Sequence, residues 1–323
     1  MENNSLVAFR RDIRVLDATI RDGGLVNNFS FSDEFVKALY EANVKAGIEY
    51  MEFGYKADPD MFKESEYGKW KFSKDEDIRA IVGENKTGLK ISVMADVGRT
   101  NYKRDILPKS DSPINMIRVA TYISQLPLAA DMVEDAHAKG YETCVNIMAV
   151  SKVQEDELVK GLELLCKTNV DVIYIVDSFG AFFPEQAVRL TQLYKSIADK
   201  YGKKIGIHTH NNQQMAFANT VEAMRNGASY LDATISGMGR GAGNCHMESL
   251  LSLLRNPKYN MFPLLDFITE HMPTVKEEGA VWGFDIPYML TGALNIHPSS
   301  AIKFIKAGRT DYSEFYKELL EDN

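Results

Sequence analysis

The chain has 323 residues, 45% hydrophobic and 25% charged, with a formal net charge of −8 and a pI near 5.4. No run approaches the roughly 20 apolar residues of a membrane helix, and the acidic balance excludes a general nucleic-acid binder, which needs a basic stripe to meet phosphates. Length does not force two domains, because an α/β barrel uses about 250 residues as one unit. Met1–Arg11 lacks the charged-then-apolar pattern of a signal peptide, and Cys144, Cys166 and Cys245 are odd in number and scattered, so a reducing, cytoplasmic location is expected.

From Arg14 onward, short runs rich in Val, Ile and Tyr alternate with longer amphipathic stretches, as when crossover helices join parallel strands. The predicted strands are Arg14–Ile20, Tyr50–Tyr55, Lys90–Asp96, Met116–Thr121, Glu142–Val150, Val172–Asp177, Lys204–His210 and Tyr230–Ser236. Ser32 is placed to cap a helix that carries Phe35, Ala38, Leu39 and Ala42 on one face and stops at Gly47. Pro184 starts a helix with Ala187, Leu190, Leu193, Tyr194 and Ile197 at helical spacing. Val97–Asp111 has little apolar period, so the third unit is expected to be short or irregular.

Eight strand–helix units close better as a barrel than as an open sheet, which gives the fold class: α/β, a (β/α)8 TIM barrel with a helical C-terminal extension. The rhythm stops near Asn256, so we expect a barrel domain over 12–256 and an extension over 257–323. Within the latter, Met261–Glu270, Ile286–Leu294, Ser299–Ala307 and Ser313–Glu321 read as helices.

A barrel of this kind places its active site at the C-terminal ends of the strands. The first strand runs into Arg21-Asp22-Gly23-Gly24, a cation and a carboxylate beside two glycines that let the backbone bend. The seventh ends in His208-Thr209-His210, and because strand side chains alternate, both imidazoles point the same way. Two imidazoles and a carboxylate from a strand two places away around a closed barrel make a three-ligand facial set for a divalent cation. The eighth strand ends in the glycine-rich stretch Gly237–Asn244, from which Asn244 is placed to reach the metal or order its shell.

Three stretches together resemble a known family, the Asp-Arg-Glu-motif barrel metallolyases, over nearly the whole barrel. They are Asp17-Ala18-Thr19-Ile20-Arg21-Asp22-Gly23, His208-Thr209-His210-Asn211, and Gly237 through Asn244. Among its branches the 4-hydroxy-2-oxovalerate aldolases are the most similar, through Met238–Asn244, Arg118–Thr121 and Asp177–Gly180. Trp282–Tyr288 resembles the aldolase stretch that supplies a catalytic tyrosine, here Tyr288. One position departs: where that branch has a catalytic histidine, this chain has Leu25, which leaves Tyr288, His246, His297 or a metal-bound water to move the proton.

The resemblance implies a metal-dependent lyase acting on a 2-oxo acid through a pyruvate enolate, with an acyl-CoA-dependent Claisen synthase or lyase as the alternative and a non-catalytic barrel scaffold as the third reading. Manganese is the first choice of metal, with magnesium, cobalt or zinc as alternatives. Arg21 would face the developing oxyanion. Glu52 would orient Arg21, relay a proton or form an interior salt bridge. Arg118, Asp177, Gly239 and Gly241 are candidates to line the substrate pocket, although mouth charges such as the first two also pair with one another. A homo-oligomer and an aldehyde dehydrogenase partner docked on the helical tail complete what the resemblance implies.

Overall fold

The computed structural model describes residues 7–322. Strands β1 (Arg14–Asp17), β2 (Tyr50–Tyr55), β3 (Lys90–Asp96), β4 (Met116–Thr121), β5 (Glu142–Ile147), β6 (Val172–Asp177), β7 (Lys204–Thr209) and β8 (Tyr230–Ala233) pair in sequence order and close as a barrel. Closure is explicit at β1, where Leu16 stands opposite Tyr50 on one side and Asp232 on the other. The eight expected strands are all present, and the (β/α)8 class holds.

Four of them stop sooner than their apolar runs suggest. β1 ends at Asp17 rather than Ile20, β5 at Ile147 rather than Val150, β7 at Thr209 rather than His210, and β8 at Ala233 rather than Ser236. At β1 the cause is local: the Asp17 carboxylate takes the Thr19 amide at 2.9 Å and also its hydroxyl, which turns the chain into a helix two residues on. At β8 the backbone of Ser236 turns to a φ of 52° and leaves the ladder.

Around the barrel lie α1 (Thr19–Asn27), α2 (Asp33–Ala46), α3 (Asp75–Val82), the single turn α4 (Tyr102–Asp105), α5 (Leu126–Ala138), α6 (Glu155–Cys166), α7 (Pro184–Ala198), α8 (Ala216–Arg225) and α9 (Met247–Leu253). Ser32 caps α2 by accepting the Phe35 amide at 3.2 Å, and Gly47 ends it at a φ of 77°. The weak third unit is irregular, as its poor periodicity predicts. Gly23 and Gly24 do not bend the chain; they lie inside α1, where a Cβ on Gly24 would meet the Phe29 ring at 2.2 Å. Close packing, not backbone freedom, explains them.

The tail forms α10 (Phe262–Glu277), α11 (Ile286–Ala293), α12 (Ser299–Lys306) and α13 (Tyr312–Glu321). α10 runs past the expected end at Glu270 and through Pro273 because Phe267, Met272 and Val275 bury against the barrel's outer shell, with Phe267 packed on Phe35 at 5.1 Å. Tertiary burial there outweighs the proline's lost hydrogen bond. Ala301, Phe304, Phe315 and Leu319 make a second small core of their own. Among the described residues no helix is long and apolar enough to cross a membrane.

Inside the barrel, alternate residues of each strand face inward. The floor is apolar: Leu16, Tyr50, Met116, Cys144, Val172 and Tyr174. Gly206 leaves room for the Tyr174 ring, which a Cβ would meet at 2.6 Å. On that ring rests the Arg118 guanidinium, 4.4 Å from its centroid, and with it begins a charged layer.

Candidate metal centre

The charged layer is a chain of ion pairs. The Glu52 carboxylate accepts from Arg118 at 2.8 Å and from Arg21 at 2.8 Å; Arg21 also donates to Asp22 at 2.7 Å, and Arg118 to Asp232 at 2.5 Å. All five side chains are buried. Removed from water, such charges persist only because each has an opposite partner in hydrogen-bonding geometry.

Above this layer the three expected metal ligands converge. Ligand atoms of Asp22, His208 and His210 lie within 4.8 Å of one another, with Nε2 of His210 at 3.5 Å and Nε2 of His208 at 3.9 Å from the same Asp22 oxygen. Each ring is fixed by its other nitrogen. His210 donates from Nδ1 to the Asp177 carbonyl at 2.9 Å, and His208 from Nδ1 to the Asp232 carboxylate at 3.0 Å. The neutral His208 ring therefore carries a bare lone pair on Nε2, buried with no hydrogen-bond partner among the described residues, and His210 turns its Nε2 toward the same Asp22 oxygen. A carboxylate oxygen and a bare imidazole nitrogen facing one another in a buried space repel unless a cation lies between them, so the site fits a divalent ion.

Electrostatics agree. Burial lowers the His208 imidazole to about 4 against the upward pull of Asp232, so the ring is neutral and ready to ligate. Burial alone would raise Asp22, but the Arg21 guanidinium beside it holds its carboxyl well below the usual range.

The glycine-rich loop supplies the fourth group. It folds back along the end of β7, with the Asn211 amide donating to the Gly243 carbonyl at 2.8 Å, and Gly241 and Gly243 take positive φ of 67° and 82° to make that return. Asn244 is brought beside His210; its amide donates to Asp22, while its oxygen is buried without a partner. Gly239 matters for space, since a Cβ there would lie 2.1 Å from the Asn244 amide nitrogen and 2.8 Å from an Asp22 oxygen. Gly239→Ala is accordingly expected to weaken divalent-ion binding at least about tenfold, read by calorimetry, by displacing two of the groups that would hold the ion. Unchanged affinity would mean the loop yields freely.

The cavity above the site holds about 90 Å³ and is walled by Arg21, Asp22, Leu25, Tyr55, Met94, Ala120, Asn146, Met148, Val176, Ser178, His208, His210 and Arg240. A larger hollow of about 830 Å³ lies between α2 and α10, but it shares no residue with this wall and holds no comparable convergence of donors, so the chemistry belongs to the smaller one.

Several expected pocket residues lie elsewhere. Arg118 is fully buried one layer below, because on β4 it is Ala120 that reaches the wall; its role is to hold Glu52 and Asp232. The Asp177 side chain accepts the amides of Ala181 at 2.9 Å and Phe182 at 3.2 Å, so it shapes its own loop, and its carbonyl orients His210. Gly239 and Gly241 shape the loop and do not line the cavity, and Tyr288 packs near Gly241 instead of on the wall. His246 lies against Gly237, also off the wall. Glu52 accepts from Arg21 at 2.8 Å, a contact common to the orienting role and the interior salt bridge among its expected roles.

Three residues escaped the sequence reading. Asp232 fixes His208, and an isolated acid within an apolar strand was its only signal. Tyr55 puts a phenol on the wall, and Arg240 a guanidinium. The tail reaches this rim as well: Gln213 donates to the Met289 carbonyl at 2.6 Å, Trp282 to the Ser236 carbonyl at 3.0 Å, and Ser151 to Asn295 at 2.7 Å.

Fold and site define a (β/α)8 barrel with a group of buried side chains at its C-terminal mouth that could hold a divalent cation. The chain belongs to the HMGL-like family, whose profile matches residues 12–267. An oxaloacetate decarboxylase of Mycobacterium tuberculosis is 31% identical over 77% of this chain and 72% of its own. A 4-hydroxy-2-oxovalerate aldolase of Thermus thermophilus is 31% identical over 78% and 72%. Among solved structures, an N-terminal domain from Bacteroides vulgatus superposes with a TM-score of 0.79 at 30% identity, covering 91% of this chain and 96% of that one. HMG-CoA lyase of Bacillus subtilis shares the fold with a TM-score of 0.62 at 15% identity. These relationships make the protein a carbon–carbon lyase.

Proposed function

We propose that the protein is a class II-type aldolase that cleaves a 4-hydroxy-2-oxo acid to pyruvate and an aldehyde, with manganese in the Asp22–His208–His210 site. The observation that carries this reading is the shared cavity: Arg21 and the three ligands face one small space. A bound divalent ion supplies Lewis acidity toward the 2-oxo oxygen. Arg21, held by Asp22 and Glu52, keeps its remaining face toward the same space, where developing negative charge is stabilised without reorganisation. Leu25 supplies no base, and burial pushes the Tyr55 phenol up, so Tyr55 stays protonated and stands on the wall as a hydrogen-bond donor to the substrate. The tail reaches the wall at Arg240, through His297.

Decarboxylation of oxaloacetate is the second reading. It passes through the same pyruvate enolate, and the relative of that name is 31% identical to this chain. The test of both is exchange of pyruvate methyl protons in heavy water by manganese-loaded protein. Exchange that stops on chelation is expected; its absence removes the enolate chemistry and with it both readings.

A further inference from the structure

We infer that Arg240 selects the substrate by binding a second carboxylate, carried on the half of the 2-oxo acid that leaves. This deepens the proposed lyase function and rests on it, for it names the substrate class: dianionic 2-oxo acids, in which the aldehyde fragment is itself an anion.

The inference starts from the two guanidinium groups on the cavity wall. Arg21 is paired with two carboxylates, Asp22 and Glu52. Arg240 has none at ion-pair distance among the described residues. Its Nη1 lies 3.1 Å from Nε2 of His297, its Nη2 3.4 Å from the Ser178 carbonyl, and its Nε is buried without a partner. Neither contact is to a carboxylate. His297 is lowered to about 4 by burial first and then by Arg240 and His210, so it is neutral and offers the guanidinium no opposite charge. The Phe179 ring packs edge-on against His297 at 6.0 Å.

Charge balance in the site leads the same way. The buried layer sets two guanidinium groups, Arg21 and Arg118, against three carboxylates, Glu52, Asp22 and Asp232. A divalent ion leaves that layer with one positive charge, which the carboxylate beside the 2-oxo group matches. Arg240 then remains a partly buried cation on a wall it shares with apolar Leu25, Met148 and Val176, with no carboxylate at ion-pair distance among the described residues. A half-desolvated guanidinium gains most from a bidentate carboxylate. A methyl group at the same place would leave it unmatched.

The test compares two non-cleavable ligands of equal chain length, 2-oxoglutarate and 2-oxopentanoate, which differ by a carboxylate against a methyl group. Calorimetry on the full manganese-loaded chain is expected to show 2-oxoglutarate bound at least about tenfold more tightly, the worth of one charge-assisted pair. Arg240→Gln is expected to reduce that preference to about twofold by weakening 2-oxoglutarate alone, and Arg240→Lys to retain part of it. Manganese stoichiometry and the thermal midpoint report whether each variant is folded, and the wild-type comparison decides the matter even if one is not. Equal binding of the two ligands by the wild type, or equal weakening of both in Arg240→Gln, overturns the proposal. Preference for 2-oxoglutarate without pyruvate proton exchange would overturn the enolate chemistry and leave the carboxylate site standing.

Discussion

Asp22→Asn is expected to abolish manganese binding at micromolar ion and to lower lyase turnover by about 10³-fold or more, since the one anionic ligand is lost while shape is retained. Asp22 is the residue whose charge does most: an imidazole ligates through a lone pair without negative charge, and only this carboxylate of the three offsets the ion's charge directly. The variant keeps its hydrogen-bonding size, so Arg21 and Asn244 retain a polar neighbour. A thermodynamic readout separates lost binding from lost folding. Ion at a hundred times its Kd stabilises the wild-type protein by about 2.7 kcal/mol through mass action, and the variant by nothing. Thermal unfolding with and without manganese measures this, and a variant still stabilised by the ion would remove Asp22 from the ligand set.

How far the site could be read in the sequence depended on whether a residue's meaning is local. His208 and His210 were legible because a period of two puts both on one face whatever the rest of the fold does. Eight strands were legible because buried parallel strands are nearly continuous apolar runs. That same continuity hides which face is inward. Val172–Asp177 is apolar up to its last residue, so nothing in it reveals that Val176, beside His208 in the ladder, reaches the cavity, and that the Asp177 carboxylate is bound to its own loop. Arg118 likewise looked like a mouth residue, yet Ala120 occupies that level. Asp232 acquires its role only when β8 closes beside both β7 and β1, and Arg240 only when the tail brings His297 to it. Long-range register, which no local pattern encodes, separates the legible residues from the rest.

Arg118→Met is expected to destabilise the protein by about 3–5 kcal/mol near neutral pH, because it removes the one guanidinium that pairs with buried Asp232 and one of the two that pair with Glu52. Its pH dependence should invert. In the wild type, burial pushes the Asp232 carboxyl up, but Arg118 and then His208 outweigh it and hold the group below its usual value. A depressed carboxyl adds stability that is full above its unfolded value of about 3.9 and is lost only as pH falls below that point. Without Arg118, burial prevails and the Asp232 carboxyl rises above that value. A raised group favours the folded state when protonated, so the variant should lose stability as pH climbs from about 4 toward neutrality and regain part of it on acidification. Denaturant unfolding at pH 5 and pH 8 measures the difference. A variant no weaker at pH 8 than at pH 5, relative to wild type, would show that Asp232 does not depend on Arg118 for its charge, and that the carboxylate orienting His208 is secured by something other than the layer beneath it.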